Sequence, residues 1–215
     1  MMKTKKLAIA SVCVALAGII AAGATMAYLN DKTATVTNTF TPSGSNLSIQ
    51  LREPAWDGYT FADTNYTTLG ASAKEGLSEA VLKDLGITKA NPYAPGSVIP
   101  KDPTVKNNGT AAVWVAVKLE YEALPTYAEI NYENGSKWEF NADKTIAYYK
   151  TTLAVGETTA PVFDKVTIPT TVTELGSTAF KIKSTAYAIQ TENIADLTAA
   201  KAAFAAQFSS VFPAQ

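Results

Sequence analysis

Residues 93–119 read "YAPGSVIPKDPTVKNNGTAAVWVAVKL", and this stretch decides the fold class. A proline-glycine turn, a second loop with two prolines and an Asn-Gly turn at 107–109 precede a run of β-forming residues. In that run, over 111–121, the odd-numbered residues are all apolar and the even-numbered ones become polar toward the end. At ~3.3 Å per residue the run spans about 36 Å, which is longer than an average strand. It predicts a central strand with one fully buried face and contains no group that looks like a catalyst.

Alternating apolar and polar residues predict further strands on both sides of this one. Turn-forming residues separate the predicted strands, which cover 33–40, 47–52, 136–141, 144–153, 165–169 and 178–190. Many short strands with one or two helices are typical of an antiparallel β-sandwich, here of jelly-roll type. No internal repeat or linker divides the chain, so residues 28–215 are predicted to form a single domain.

Two segments have helical character. Residues 53–92 are interpreted as an insertion between strands that carries one short helix, because Leu77, Val81 and Leu85 recur at four-residue spacing. Gly86 follows as the predicted C-cap of that helix. The alanine-rich tail, 195–212, is predicted to be a helix whose narrow apolar stripe contains Leu197, Lys201, Phe204 and Phe208.

The first residues have the pattern of a signal peptide. Three lysines precede an apolar run and small residues follow it, so we predict a leader over 1–27 with cleavage between Ala27 and Tyr28. Cleavage after Ala24 is the alternative. A retained membrane anchor is the competing interpretation, although the apolar run of about 16 residues is shorter than the ~20 that span a bilayer.

Removal of the leader leaves a mildly acidic chain without cysteine. The leader contains three of the 18 basic residues and none of the 19 acidic ones, so the net charge becomes −4. No basic cluster indicates binding to nucleic acid or to a membrane surface after processing. Cys13, the single cysteine, leaves with the leader unless it serves as a lipidation site. Export without disulfides is typical of a Gram-positive bacterium.

The composition argues against most enzyme classes. The chain has no histidine, which excludes the histidine-dependent nucleophile systems and nearly all catalytic zinc sites. Glu120 and Glu122 lie about 6 to 7 Å apart by strand rise, as glycosidase carboxylates can, but a solvated strand edge beside Lys118 is the strongly favoured explanation. The aspartates at 57, 63, 143 and 164 do not follow a calcium-loop pattern. We predict no catalytic residue, metal site or cofactor.

Aromatic residues cluster near the predicted strands at 136–153. Trp138 and Tyr148 are the candidates for a ligand surface, because exposed aromatic rings on a jelly roll can stack on sugars. Core or cross-strand packing is the alternative role for both.

Three blocks of the sequence resemble the TasA/camelysin family of exported Gram-positive proteins. The blocks are "AGATMAYLND" with the following "TVTNTF" and "GSNLSIQL", the stretch at 95–119, and "AFKIKSTAYAIQTENI". The resemblance implies a jelly-roll subunit of biofilm-matrix or cell-surface fibres, released by a SipW-type signal peptidase and assembled by donation of an N-terminal strand. A fibre of this kind is a homo-oligomer, and an accessory matrix protein is a further partner.

The segment 28–40 supplies a candidate donor strand. "TATVTNTF", 33–40, is uncharged and proline-free, and Ala34, Val36 and Phe40 share one face as candidate anchors. The alternative is that this strand pairs within its own domain. Two further functions stay open, a surface adhesin or glycan-binding module and a camelysin-like metallopeptidase; the absence of histidine weighs against the second.

Overall fold

The computed structural model describes residues 46–65, 70–132 and 137–213. The chain divides into two units, 1–41 and 42–215, and every described residue belongs to the second. The described residues are mainly β and form antiparallel sheets with a few short helices. The predicted fold class, an antiparallel β-sandwich with short helices, is confirmed.

The strands and helices are short apart from two long strands and one helix. The strands are β1 (Ile49–Arg52), β2 (Val98–Pro100), β3 (Thr104–Asn107), β4 (Val113–Glu122), β5 (Glu129–Ile130), β6 (Trp138–Phe140), β7 (Ile146–Tyr149), β8 (Lys165–Thr167) and β9 (Lys181–Gln190). The helices are α1 (Pro54–Asp57), α2 (Glu79–Asp84), α3 (Gly86–Lys89) and α4 (Leu197–Gln207).

Two layers enclose the main core. One layer is the sheet with strand order β6-β7-β4-β9, and the other contains the pair β1-β3 and the sheet β2-β8-β5. The core between them consists of valines of β4 together with side chains from both layers, including Trp138, Leu153, Phe163 and Ile168. This apolar burial is the main favourable contribution to folding.

β4 is central, as the alternation predicts, because it pairs with β7 on one side and with β9 on the other. The prediction of a single buried face is incomplete. Trp114 and Ala116, on the second face, are also buried, since α4 packs over them. Ala200 and Phe204 of α4 lie in this second core.

α4 is shorter than the predicted helix over 195–212. Asp196 is the N-cap of α4, since its side chain accepts a hydrogen bond from the Ala199 N–H at 2.8 Å. Phe208 and Phe212 follow the helix and pack on Tyr187, with ring centroids 5.1 Å apart in both pairs. The tail therefore contributes an aromatic cluster that covers the outer face of the sheet.

The described part of the segment 53–92 contains three short helices, which corrects the prediction of one. α2 begins at Ser78, whose side chain accepts from the Val81 N–H at 3.4 Å, and it ends at Asp84. Gly86 is not a C-cap; it is buried at the start of α3, and a Cβ placed on it would lie 1.8 Å from the Pro100 carbonyl oxygen. Close approach of the backbone, and not turn geometry, explains this glycine.

Several predicted strands are shortened and others are missed. Four predicted strands correspond to observed ones: 136–141 to β6, 144–153 to β7, 165–169 to β8 and 178–190 to β9. The sequence gives no separate prediction for β2 or β5, which have three and two residues. The predicted strand over 33–40 lies outside the described residues.

Replacing Gly86 with alanine tests the close approach of α3 to β2. We expect Gly86→Ala to lower the free energy of unfolding by about 3 kcal/mol or more, since the new methyl group overlaps backbone that cannot move independently. Urea unfolding followed by circular dichroism measures the effect. Gly176→Ala is the matched control, because a Cβ there meets nothing within 4 Å. Equal stability of the two variants would contradict this packing.

Candidate docking groove

No strand is hydrogen-bonded to the outer edge of β9 among the described residues, although β1 lies close to β9. On the other side of β4, the Leu119 N–H donates to the Thr145 oxygen, and Val113 exchanges two backbone hydrogen bonds with Leu153. Successive residues of a strand direct their backbone groups to opposite sides, so the even-numbered residues of β4 bond β9. Their partners in β9 are all odd-numbered. The even-numbered residues of β9 therefore direct their N–H and C=O groups toward the free edge.

The same residues of β9 face the main core. Ile182, Ala186 and Ala188 pack against the core cluster, and Ser184 belongs to the same row. Three of these four side chains are small. A sheet edge with free backbone groups and small inward side chains has room for the side chains of an additional strand.

A groove of about 500 Å³ runs beside the first half of β9. Residues 179–184 form one wall, and mostly apolar side chains form the rest: Trp56 of α1, Ala90 and Tyr93 after α3, Ile99 of β2 and Val166 of β8. A volume in this range is typical of a binding cleft. The groove suits an extended segment with apolar side chains on one face.

One ion pair interrupts the apolar lining. Lys101 Nζ lies 2.6 Å from Glu53 Oε2, and the two side chains are only 9% and 5% exposed. The Ser184 hydroxyl donates to Glu53 Oε1 at 3.2 Å and thereby connects β9 to the end of β1. Because removing one member of a buried ion pair leaves the other uncompensated, the pair is a fixed feature of this wall. We call Glu53, Lys101 and Ser184 the polar set.

Two further carboxyl groups lie behind the polar set. Asp57 is fully buried, and its side chain accepts from the backbone N–H groups of Tyr59 and Gly70 at 2.9 and 3.1 Å. Asp102 accepts from the Ala55 N–H at 2.8 Å. The pKa of Asp102 is raised to about 7, chiefly by burial and also by the charges of Glu53 and Asp57, against the lowering effect of the bond from the Ala55 N–H. Burial also raises the pKa of Asp57. Both carboxyl groups are therefore easier to protonate than an exposed aspartate.

Titration of Asp102 is expected to reduce stability as pH rises. Its folded pKa of about 7 exceeds its ordinary value of 3.8, so its contribution is complete below 3.8 and is lost as pH rises through about 7. Titration of Asp102 should lower the free energy of unfolding by about 1–2 kcal/mol between pH 5 and pH 8, and we expect Asp102→Asn to remove this decline. The value is smaller than the full pKa shift implies because Asp102 is partly exposed. Asp57 contributes a decline of the same sign that remains in the variant.

Urea unfolding at several pH values measures this effect. Asp143→Asn is the control, since the Thr145 hydroxyl lowers the pKa of that exposed aspartate and its titration lies outside this pH window. An unchanged slope in Asp102→Asn would contradict the placement of this side chain.

The structure brings together residues that the sequence did not single out. Glu53 and Lys101 look like ordinary surface charges in the sequence. The run of small residues at alternate positions of β9 is the one signal that indicates the free edge. The predicted cleavage site, Ala27 and Tyr28, and the predicted donor residues Ala34, Val36 and Phe40 lie outside the described residues.

The two candidate ligand-binding aromatics are core residues. Trp138 is 1% exposed and donates its ring N–H to the Ala160 oxygen at 3.0 Å, while Tyr148 is 2% exposed beneath Phe204 and Phe212. A buried ring cannot stack on a sugar from solvent. This placement corrects the prediction of an exposed aromatic surface at these two positions and agrees with the alternative of packing.

Glu122, one of the two carboxylates considered for catalysis, forms ion pairs on the sheet surface. Glu122 pairs with Lys181 and Lys183 at 2.9 and 3.2 Å, and the bond from Lys181 is the main reason that its pKa is lowered. A general acid in a glycosidase needs a raised pKa. Within the described residues, no group of three or more acidic side chains is placed to hold a metal ion.

Comparison with known proteins assigns no family to the chain. Neither the protein-family models nor the curated sequences give a match. In the part of the chain that the structure describes, no helix is long and apolar enough to cross a membrane. The function is therefore argued from the groove and from the sequence.

Proposed function

We propose that this protein is an exported, non-enzymatic structural protein that self-associates into fibres in the extracellular matrix or on the cell surface. In this proposal residues 33–40 of one copy add as a strand to β9 of the next copy. The observation that carries the proposal is the free edge of β9 beside an apolar groove. Backbone hydrogen bonds along such an edge supply affinity, and pockets for alternate side chains supply specificity.

The sequence of 33–40 has the features that this edge requires. At ~3.3 Å per residue its length is about 26 Å, compared with about 33 Å for β9. Its residues are uncharged, and the threonines alternate with a row that contains Val36 and Phe40. With that row turned into the groove, the apolar side chains meet apolar walls and the threonines face solvent.

The position of this segment in the chain gives assembly a natural control. Residues 33–40 follow closely on the predicted cleavage site between Ala27 and Tyr28. Before cleavage the leader holds the strand at the membrane, and after cleavage the strand is free to add to another copy. A signal peptidase is therefore the processing partner in this proposal, and the fibre itself is a homo-oligomer in which an accessory matrix protein can take part.

The non-enzymatic part of the proposal depends on the composition. The chain has no histidine, so the metallopeptidase alternative lacks its usual ligand and base. The adhesin or glycan-binding alternative depended on Trp138 and Tyr148, which are buried. The resemblance of three sequence blocks to fibre subunits supports the structural function independently of the groove.

A charge placed on the inward row of the candidate strand tests the proposal. We expect Val36→Lys, in residues 28–215, to raise the protein concentration needed for fibre formation at least about tenfold, because the groove would have to desolvate an ammonium group. Thr37→Lys is the matched control, since the same charge on the outward row stays in water. Negative-stain microscopy and size-exclusion chromatography measure assembly.

Two outcomes would contradict the proposal in different ways. Equal assembly of the two lysine variants would reject residues 33–40 as the added strand. A monomeric 28–215 at every concentration and pH would reject the fibre function. If that monomer is also more stable than 41–215, the strand fills the groove of its own chain.

A further inference from the structure

The polar set lies at one position along an otherwise apolar groove. From Ile182 to Ala188, Ser184 is the single polar residue in the inward row of β9. Its hydroxyl reaches Glu53, whose second oxygen binds Lys101. Lys181 and Lys183 also border the groove, but their side chains are 60% exposed and pair with Glu122 at its rim. An added strand therefore meets buried polar groups at one point only.

The polar set has hydrogen-bonding capacity left. A carboxylate offers about four acceptor positions, and among the described residues Glu53 accepts one bond on each oxygen, from Ser184 and from Lys101. A serine hydroxyl that donates can still accept. A side chain amide suits this place, because its NH₂ group can donate to Glu53 or to the Ser184 oxygen while its own oxygen accepts from Lys101.

The inward row of the candidate strand contains one such amide. Its members are Ala34, Val36, Asn38 and Phe40, of which only Asn38 is polar. The groove and the strand thus each have a single polar position in an apolar row. The remaining polar residues of 33–40 are threonines of the outward row.

We infer that Asn38 of the incoming strand pairs with Glu53 and Ser184 of the receiving copy and sets the register of the added strand. This inference rests on the proposed function and adds the residues that determine its specificity. A slip by two residues keeps the same row inward, so apolar matching alone does not prevent it. Such a slip places Val36 or Phe40 on the ion pair and Asn38 among apolar side chains.

The slipped registers are disfavoured because they leave buried polar groups without partners. An unsatisfied buried amide or carboxylate is far more unfavourable than the net gain from one hydrogen bond. A single buried asparagine sets the register of coiled coils by the same physical effect. Replacing Asn38 with valine should therefore leave assembly intact and relax the register.

Disulfide mapping across the outward rows tests the inference. Lys181, Lys183 and Thr185 are exposed on β9, and residues 28–215 contain no natural cysteine. Paired cysteines are placed at 37 or 39 and at 181, 183 or 185, and oxidised fibres are separated by denaturing electrophoresis. Non-hydrogen-bonded neighbours on antiparallel strands approach closely enough for a disulfide.

The proposed register gives one of two patterns. If the strands are antiparallel, position 37 links to 185 and position 39 to 183; if they are parallel, 37 links to 183 and 39 to 185. We expect the yield of cross-links in either pattern to exceed the yield of links to position 181 at least about tenfold. In Asn38→Val and in Ser184→Ala, fibres should still form, and the preference should fall at least about threefold.

The results distinguish strand addition itself from the role of Asn38 in setting its register. Fibres linked mainly through position 181, or fibres whose preference is unchanged in both variants, would overturn the role of Asn38 and leave strand addition in place. Absence of fibres from unmodified 28–215 would overturn both. Asn38→Asp adds an independent check, because a second carboxylate beside Glu53 should weaken assembly at neutral pH at least about tenfold.

Discussion

The antiparallel pairing of β4 with β9 is the constraint on which the rest of the structure depends. It runs without interruption from Val113 opposite Gln190 to Glu122 opposite Lys181. Because side chains alternate across a sheet, a shift of one residue would turn the valines of β4 away from the main core. The same register places Tyr187 under the C-terminal aromatic cluster. Both cores and the orientation of the free edge of β9 thus follow from one pairing.

The sequence predicts those parts of the fold whose pattern is long. β4, β9 and α4 each span at least ten residues, which is long enough for strand or helix character to be read from the sequence. β2 and β5 are too short to show a period, and β2 ends at Pro100, a residue that counts against a strand. The predicted helix with Leu77, Val81 and Leu85 is interrupted at Leu85, next to the point where Gly86 packs on the Pro100 carbonyl, a contact that no local pattern reveals.

The groove is harder to predict than the fold because its polar residues are identified only by tertiary contacts. Arg52, Glu53, Asp57 and Lys101 are buried, although charged residues are usually exposed. Glu53 and Lys101 are far apart in sequence and meet only because β1 and β2 end near each other at the groove. The candidate strand, in contrast, is predicted from the sequence alone, by the alternation of residues 33–40.

A free strand edge is a hazard that most proteins reduce by charge, proline or covering segments. Among the described residues, charges protect β9 at the end where Lys181 and Lys183 pair with Glu122, and β1 lies close to β9. From Ser184 to Ala188 the inward row is small and uncharged, and its backbone groups face the edge. An edge protected throughout would favour a monomer, and an edge without polar features would accept many strands in many registers. β9 combines an open edge with one buried polar position, which is the arrangement that admits a strand and restricts which strand it is.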